Sequence, residues 1–236
     1  MHKSEDEQMS TRIYAVLTGD LVNSSKLSSD QSMQAMQWLR DAVRSFAAVY
    51  PNSIHGELDT FRHDSWQLLM TNPAYSIRAA VYLRASLKLH SERNDKYDSR
   101  VSIGVGEVET IAESRISDSR GAAFTTSGKN LDAMEQTRIA CEVQGGEQAA
   151  SALLGEVAIP LLDCVVAGWT AREAYAIQRT LEGHTQEQVA ELLPPNPRTG
   201  KPVTRQAVAD SRERGFWPVV TDALDKLEKS KLWDLL

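Results

Sequence analysis

The chain has 236 residues, of which 42% are hydrophobic and 25% charged, and its formal net charge is −6 at pH 7. These values are ordinary for a soluble globular protein with one large or two smaller domains. They exclude a polycation, so any contact with nucleic acid has to come from a local basic patch. An apolar run of about 18 residues is missing, and the N-terminus is polar and acidic. We therefore expect a cytoplasmic protein without a membrane span.

The chain divides by composition into a leader, a mixed part and a helical part. Residues 1–11 are expected to form a disordered leader, and residues 12–146 alternate strand and helix signals. RIYAVLTG predicts a buried strand, and apolar residues at helical spacing after Ser28 or Ser29 predict a helix with an N-cap there. Further along we expect two short strands around a turn in GELDTFRHDSWQLLM, a helix over 73–90 and a strand over 100–109.

The segment 121–143 is expected to be a turn followed by a helix that begins near Thr126 or Ser127. The resulting order of elements predicts an α+β fold with a ferredoxin-like or nucleotidyl-cyclase-like sheet. Gly104 and Gly106 lie inside a strand pattern, and no helix start follows them. This context favours close packing of backbone over a phosphate-binding loop.

From residue 147 to 236 the pattern is helical only, and residues 170–215 suggest a helix-turn-helix. Gly183 fits the end of one helix. Thr185 fits the cap of the next, and Gln188 completes a capping box. Thr204 is expected to cap a third helix, whose first residues Thr204, Arg205 and Gln206 would face base edges in this motif.

The residues around that third helix are basic. Between Pro195 and Gly215, five basic residues stand against two acidic ones, which gives a local net charge of +3. We therefore predict a homodimer that binds DNA through Arg198, Lys201, Thr204, Arg205, Gln206 and Arg212. The connection PPNPRTGKPV is much longer than the usual turn of about 3–4 residues. It is either a wing-like basic hairpin or a sign that the helix pair is purely structural.

Two acidic residues stand out in the mixed part. Asp20 follows a buried strand in AVLTGDLVNSS, and Asp64 lies in the turn of FRHDSWQ. Two adjacent carboxylates repel each other unless a cation lies between them, and Mg²⁺ or Mn²⁺ prefers such oxygen ligands. Gly19 and the turn with Asn23 and Ser24 would leave room for a phosphate. The alternative is that each aspartate only forms a turn.

Four blocks of sequence carry a resemblance to a known family. AVLTGDLVNSSKL, FRHDSWQLLM, RVSIGVGEVE and GAAFTTSGKNLDAM resemble, in order, the blocks of the SatD-like family. They are similar, more distantly, to the class III nucleotidyl cyclase and GGDEF catalytic core. The resemblance covers residues 12–140.

That resemblance implies site residues as well as a fold. It implies metal ligands at Asp20 and Asp64 and a nucleotide-binding segment that contains Asn130. Where cyclases of this class carry an arginine one helical turn after the asparagine, this chain has Met134.

Two functions from different classes follow. The first is a DNA-binding transcriptional regulator whose cyclase-like domain senses a nucleotide or a divalent metal. The second is a metal-dependent nucleotidyl cyclase or related phosphoryl-transfer enzyme. A structural protein that uses neither site is a third possibility.

Overall fold

The structure is a computed structural model that describes residues 13–92, 94–145, 147–195 and 199–233. The expected leader lies outside the described residues. The strands are β1 Ile13–Leu21, β2 Ile54–Phe61, β3 Ser65–Met70, β4 Ser99–Glu107 and β5 Ile139–Val143. The helices are α1 Ser29–Val49, α2 Ser76–Lys88, α3 Ala122–Ala133, α4 Gln148–Leu153, α5 Ile159–Ala167, α6 Ala171–Leu181, α7 Gln186–Leu192, α8 Arg205–Arg214 and α9 Trp217–Glu228.

The strands form one sheet in the order β2-β3-β1-β4-β5. Neighbouring strands are antiparallel, except that β5 runs parallel to β4. The elements from β1 to β4 thus have the connectivity and strand order of a ferredoxin-like βαββαβ unit. The predicted α+β class is confirmed.

Two details of the sequence prediction for residues 121–143 are wrong. The segment ends in a strand, β5, that the local pattern did not reveal. Its helix begins at Ala122, so Thr126 and Ser127 lie inside it and do not cap it. Gly121 sets this start, because its φ is 148° and a Cβ there would lie 2.6 Å from the carbonyl oxygen of Glu107.

Helices cover both faces of the sheet. Residues 15, 17 and 21 of β1 belong to the main buried core together with α1 and α2. Val16 packs on the opposite face against Ala123 and Phe124 of α3. Because successive side chains of a strand alternate between faces, Thr18 and Asp20 point to the α3 side. The side chain of Asp20 can therefore contact groups on the α3 side of the sheet.

The helical tail, residues 147–233, packs against the sheet domain, residues 13–145. Ile177 of α6 and Trp217 and Val220 of α9 are buried in the same apolar cluster as Leu17 of β1. As a result, α2 is covered on both sides, and each residue from Ser76 to Leu87 is buried. The division at residue 146 stays a prediction, since this apolar core is continuous across it.

Candidate functional site

Asp20 lies near the end of β1, where its Cα is paired with Arg100 on one neighbouring strand and Ser65 on the other. A carboxylate in a strand needs a partner when water cannot reach it fully. That partner is the Arg100 guanidinium, whose Nε donates to Asp20 Oδ1 at 2.9 Å and whose second nitrogen donates to Oδ2. The Arg100 side chain is 27% exposed and the Asp20 side chain 20%.

Arg100 also reaches the last turn of α3. Its remaining terminal nitrogen donates to the carbonyl oxygen of Met134 at 2.9 Å. Helix carbonyls of the last turn have no partner within the helix, and a cation there is favourable. The hydrogen bond with Asp20 raises the pKa of Arg100 above its ordinary value, and the guanidinium therefore stays charged.

Asp64 lies beside this pair, in the turn between β2 and β3. Its main-chain oxygen accepts a hydrogen bond from the Leu21 amide at 2.9 Å. Its carboxylate accepts from the hydroxyls of Ser24 at 2.7 Å and Ser65 at 3.2 Å. The structure therefore brings Asp20, Ser24 and Asp64 to one end of the sheet.

The other residues predicted to bind a nucleotide have different surroundings. A Cβ at Gly19 would lie 2.4 Å from the Trp66 indole, so this glycine accommodates a tryptophan and the expected space is filled. Asn23 adopts a left-handed conformation with φ 55° at the start of a short 3₁₀ turn. Asn130 donates to Glu142 of β5 at 2.8 Å and lines a cleft of about 480 Å³ between β5 and α4.

The carboxylate pair fits a magnesium-like ion only in part. Within the described ranges, no group of three or more His, Cys, Asp or Glu residues has the geometry of a metal site. Mg²⁺, however, is often held by one or two carboxylates and completed by water and phosphate oxygens. Asp20 and Asp64 lie at one end of the sheet, and both carboxylate oxygens of Asp20 accept hydrogen bonds from Arg100.

A second charged cluster, which the sequence analysis missed, lies one strand away. Arg84 of α2 is fully buried and donates to Asp98 at 2.8 Å and to Asp163 of α5. Burial alone would raise the pKa of Asp98, but hydrogen bonds from Arg84 and the charge of Lys88 hold it below its ordinary value. A charged residue inside an apolar helix pattern was the available signal, because buried charges are paired.

This second cluster connects the sheet domain to the tail. Asp163 Oδ2 accepts from the Arg138 amide just before β5. The Ser99 hydroxyl, next to Asp98, donates to the main-chain oxygen of Asp20 at 2.6 Å. Hydrogen bonds therefore run from the end of β1 to α5.

In the tail, α6, α7 and α8 pack around a small apolar cluster of Ala176, Val189, Ala190 and Val208. The predicted caps are present: Thr185 forms a capping box, and the Thr204 hydroxyl accepts from the Ala207 amide at 3.2 Å. The predicted helix end is confirmed as well, since Gly183 has a φ of +88°.

Two of the residues predicted to contact DNA already have polar partners within the tail. Arg205 is exposed but lies 2.8 Å from Glu187, and Gln206 donates to Asp210 at 2.7 Å. Lys201 and Thr204 are exposed, whereas Arg212 is partly buried. Arg198 lies outside the described residues. Glu187 lowers the net positive charge at the start of α8.

The helix Gln148–Ala167, formed by α4, a π turn over 154–158 and α5, is long and apolar enough to cross a membrane by length and composition. Its mean hydropathy is 1.8, and 22% of it is buried. Leu154, Ile159 and Val166 belong to the main core. Leu153 and Leu161 remain 63% and 66% exposed.

Comparisons with known proteins give limited similarity. No family model and no curated protein matches the chain. Among solved structures, the guanylyl cyclase Cya2 is similar at 15% identity and a TM-score of 0.41, over 56% of this chain and 75% of that one.

A bacterial light-regulated adenylyl cyclase is similar at 14% identity and a TM-score of 0.39, over 59% of this chain. A second structure of a protein with that description gives 13% identity and 0.37, over 72% of this chain. The chain spans only 50% and 57% of the length of these two chains. Similarity at these TM-scores does not establish a shared activity.

Proposed function

We propose that the sheet domain binds a nucleoside triphosphate together with Mg²⁺ or Mn²⁺ at Asp20 and Asp64. In this role the protein is a metal-dependent nucleotidyl cyclase or a related phosphoryl-transfer enzyme. The observation that supports the proposal is that both aspartates lie at one end of the sheet, where the amide of Leu21, next to Asp20, donates a 2.9 Å hydrogen bond to the main-chain oxygen of Asp64.

The roles of the residues follow from their contacts. Asp20 and Asp64 supply carboxylate oxygens, and the Ser24 hydroxyl orients the Asp64 carboxylate through a 2.7 Å hydrogen bond. A bound divalent ion would neutralise charge on the triphosphate and polarise its phosphoryl oxygens.

Ligand-dependent thermal stability tests this proposal. Melting temperatures are measured with Mn²⁺ and each common nucleoside triphosphate for the wild type, Asp20→Asn and Asp64→Asn. A ligand at 100 times its Kd adds about 2.7 kcal/mol of stability to the wild type. Both variants should lose the shift, whereas Asp118→Asn, which removes an exposed carboxylate elsewhere, should keep it. A wild type without any shift overturns the proposal.

Product analysis then separates a catalyst from a sensor. A cyclase releases pyrophosphate and a cyclic nucleotide from the triphosphate. Binding without any consumption of the triphosphate indicates that the domain only senses its ligand.

DNA binding by the tail is the second candidate function, and the packing of α6, α7 and α8 favours it. Their small cluster is distinct from the main core, and the capped start of α8 leaves Thr204, Arg205 and Gln206 exposed. Together with a nucleotide-sensing sheet domain, a homodimer of this kind would be a transcriptional regulator.

Fluorescence anisotropy with fragments of genomic DNA at low salt tests the tail. Arg205→Ala should weaken specific binding by about 1–3 kcal/mol, and Glu187→Gln should strengthen binding because it frees Arg205. Lys226→Ala on α9 is the matched control, since it also removes an exposed cation that is paired with a carboxylate. Absence of binding by the wild type at low salt excludes this function.

A further inference from the structure

The Arg100 side chain contacts two different parts of the site, the Asp20 carboxylate on β1 and the end of α3. Its two-pronged contact covers both carboxylate oxygens of Asp20. Its third nitrogen lies 2.9 Å from the Met134 carbonyl and 3.4 Å from that of Leu131. One guanidinium thus neutralises the end of β1 and stabilises the end of α3 simultaneously.

We infer that Arg100 is the resident cation of the Asp20 site and is displaced when a divalent cation binds there. The inference rests on the function proposed for Asp20 and Asp64. A carboxylate that accepts two hydrogen bonds from one guanidinium has its best-oriented lone pairs occupied. A divalent ion that takes those lone pairs has to displace Arg100, whose positive charge also repels it.

Displacement has a second consequence, at α3. Once Arg100 leaves Asp20, its fork is no longer anchored under the last turn of the helix. The carbonyl of Met134 then loses the guanidinium that satisfies it, whereas that of Leu131 keeps the hydrogen bond from the Met134 amide. Unsatisfied carbonyls at a helix end fray the last turn. Occupancy of the carboxylate site thus controls the order of the end of α3.

The hydrogen-bond partners of α3 indicate where this change is transmitted. Asn130, in the same turn, donates to Glu142 of β5. Residues 130 and 142 both line the cleft beside α4. Loosening of the last turn of α3 therefore alters this cleft, and through it the contact with the tail.

Mn²⁺ affinity without nucleotide tests the competition. Free Mn²⁺ is measured by electron paramagnetic resonance in titrations of wild type, Arg100→Gln and Arg62→Gln. Arg62 is the matched control because it is an exposed arginine two residues from Asp64. Arg100→Gln should bind Mn²⁺ about tenfold tighter than the wild type, and Arg62→Gln should stay within about twofold. Arg62→Gln reports the effect of losing an exposed positive charge close to Asp64 in the sequence.

Arg100→Lys keeps the experiment informative if Arg100→Gln does not fold. Lysine is a single point charge that cannot make the two-pronged contact, so affinity should rise about threefold. Equal Mn²⁺ affinity in wild type and both Arg100 variants overturns the inference and leaves the proposed site intact. Failure of every protein to bind Mn²⁺ overturns the site as well.

Amide hydrogen exchange of the full chain tests the effect on α3. Saturating Mn²⁺ should speed exchange at Ala133 and Met134 in the wild type. In Arg100→Gln these amides should exchange fast with or without Mn²⁺. Unchanged exchange in a wild type that binds Mn²⁺ shows that Arg100 stays in place, and it overturns the inference.

Discussion

Close approach of backbone atoms restricts some positions of the sheet to glycine. Gly104 of β4 lies under α3, where a Cβ would meet the Ala123 carbonyl at 2.3 Å and the Ser127 amide at 2.6 Å. Close packing of backbone at this glycine was expected from the sequence, and the structure confirms it. The neighbours are backbone atoms of a helix, which cannot turn aside as a side chain can.

Gly104→Ala should therefore lower the free energy of unfolding by about 1–3 kcal/mol, because α3 must move away from the sheet. Gly128→Ala is the control, since nothing lies within 4 Å of a Cβ there. Gly128 is inside a helix, so alanine should add about 0.5–1 kcal/mol. Urea unfolding measures both, and equal effects would contradict the contact geometry.

His90 makes stability depend on pH. Its ring stacks on Trp38 with centroids 3.7 Å apart. Burial, with a contribution from the charge of Arg179, lowers the pKa of His90 from 6.5 to about 4. Between these values the unfolded state binds more protons than the folded state, so the free energy of unfolding falls as the pH is lowered.

The expected loss between pH 6.5 and pH 4 is about 1–2 kcal/mol from this residue. His90→Phe keeps an aromatic ring against Trp38 and removes the titration. Its stability should change less over this range than that of the wild type, as measured by urea unfolding at several pH values. Parallel curves for the two proteins would contradict the lowered pKa.

At the scale of elements, buried charges hold helices to each other. Arg84→Met leaves Asp163 without its cation and Asp98 with Lys88 alone, and it should cost about 3–5 kcal/mol in the free energy of unfolding. The triple variant Arg84→Met, Asp98→Asn, Asp163→Asn removes all three charges. It should recover part of that loss, and thermal unfolding compares the proteins. A single variant as stable as the wild type would show that the cluster contributes nothing.

The helix starts at Ser28, Thr185 and Thr204 were predictable from the sequence because their signals are local, whereas the start of α3 depends on the close approach of Gly121 to Glu107. The capping boxes of Ser28 and Thr185 involve residues three positions apart, and both are present in the structure. β5 was missed because its five residues come directly after a helical segment and show no strand pattern of their own. Their pairing with β4 joins positions about forty residues apart.

The same reason explains why Asp20 and Asp64 were found while Arg100 was not. Two carboxylates in unusual strand and turn positions are visible in the sequence. The contact of Arg100 with Asp20 depends on the register between β1 and β4, which only the folded sheet defines.

For the whole molecule, the continuous core predicts cooperative unfolding. Far-UV circular dichroism and tryptophan fluorescence should give coincident urea transitions for the full chain. Trp66 reports on the sheet, and Trp217 on the tail. A fragment of residues 1–146 should not fold, because it exposes the side of α2 that α6 covers. Two separate transitions, or a stable fragment, would indicate independent domains.

The enclosed position of α2 also affects the order of events during protein synthesis. Arg78 on this helix forms ion pairs with Asp225 and Glu228, roughly 140 residues after α2 ends. A ribosome adds about 5–20 residues per second, so Arg78 lacks these partners for about 7–28 s, and the side of α2 that α6 covers stays exposed for about 5–19 s, until Leu181 is added. During these intervals the growing chain exposes the apolar surface of α2 that α6 and α9 later cover. We therefore expect chaperones to bind the chain at the ribosome.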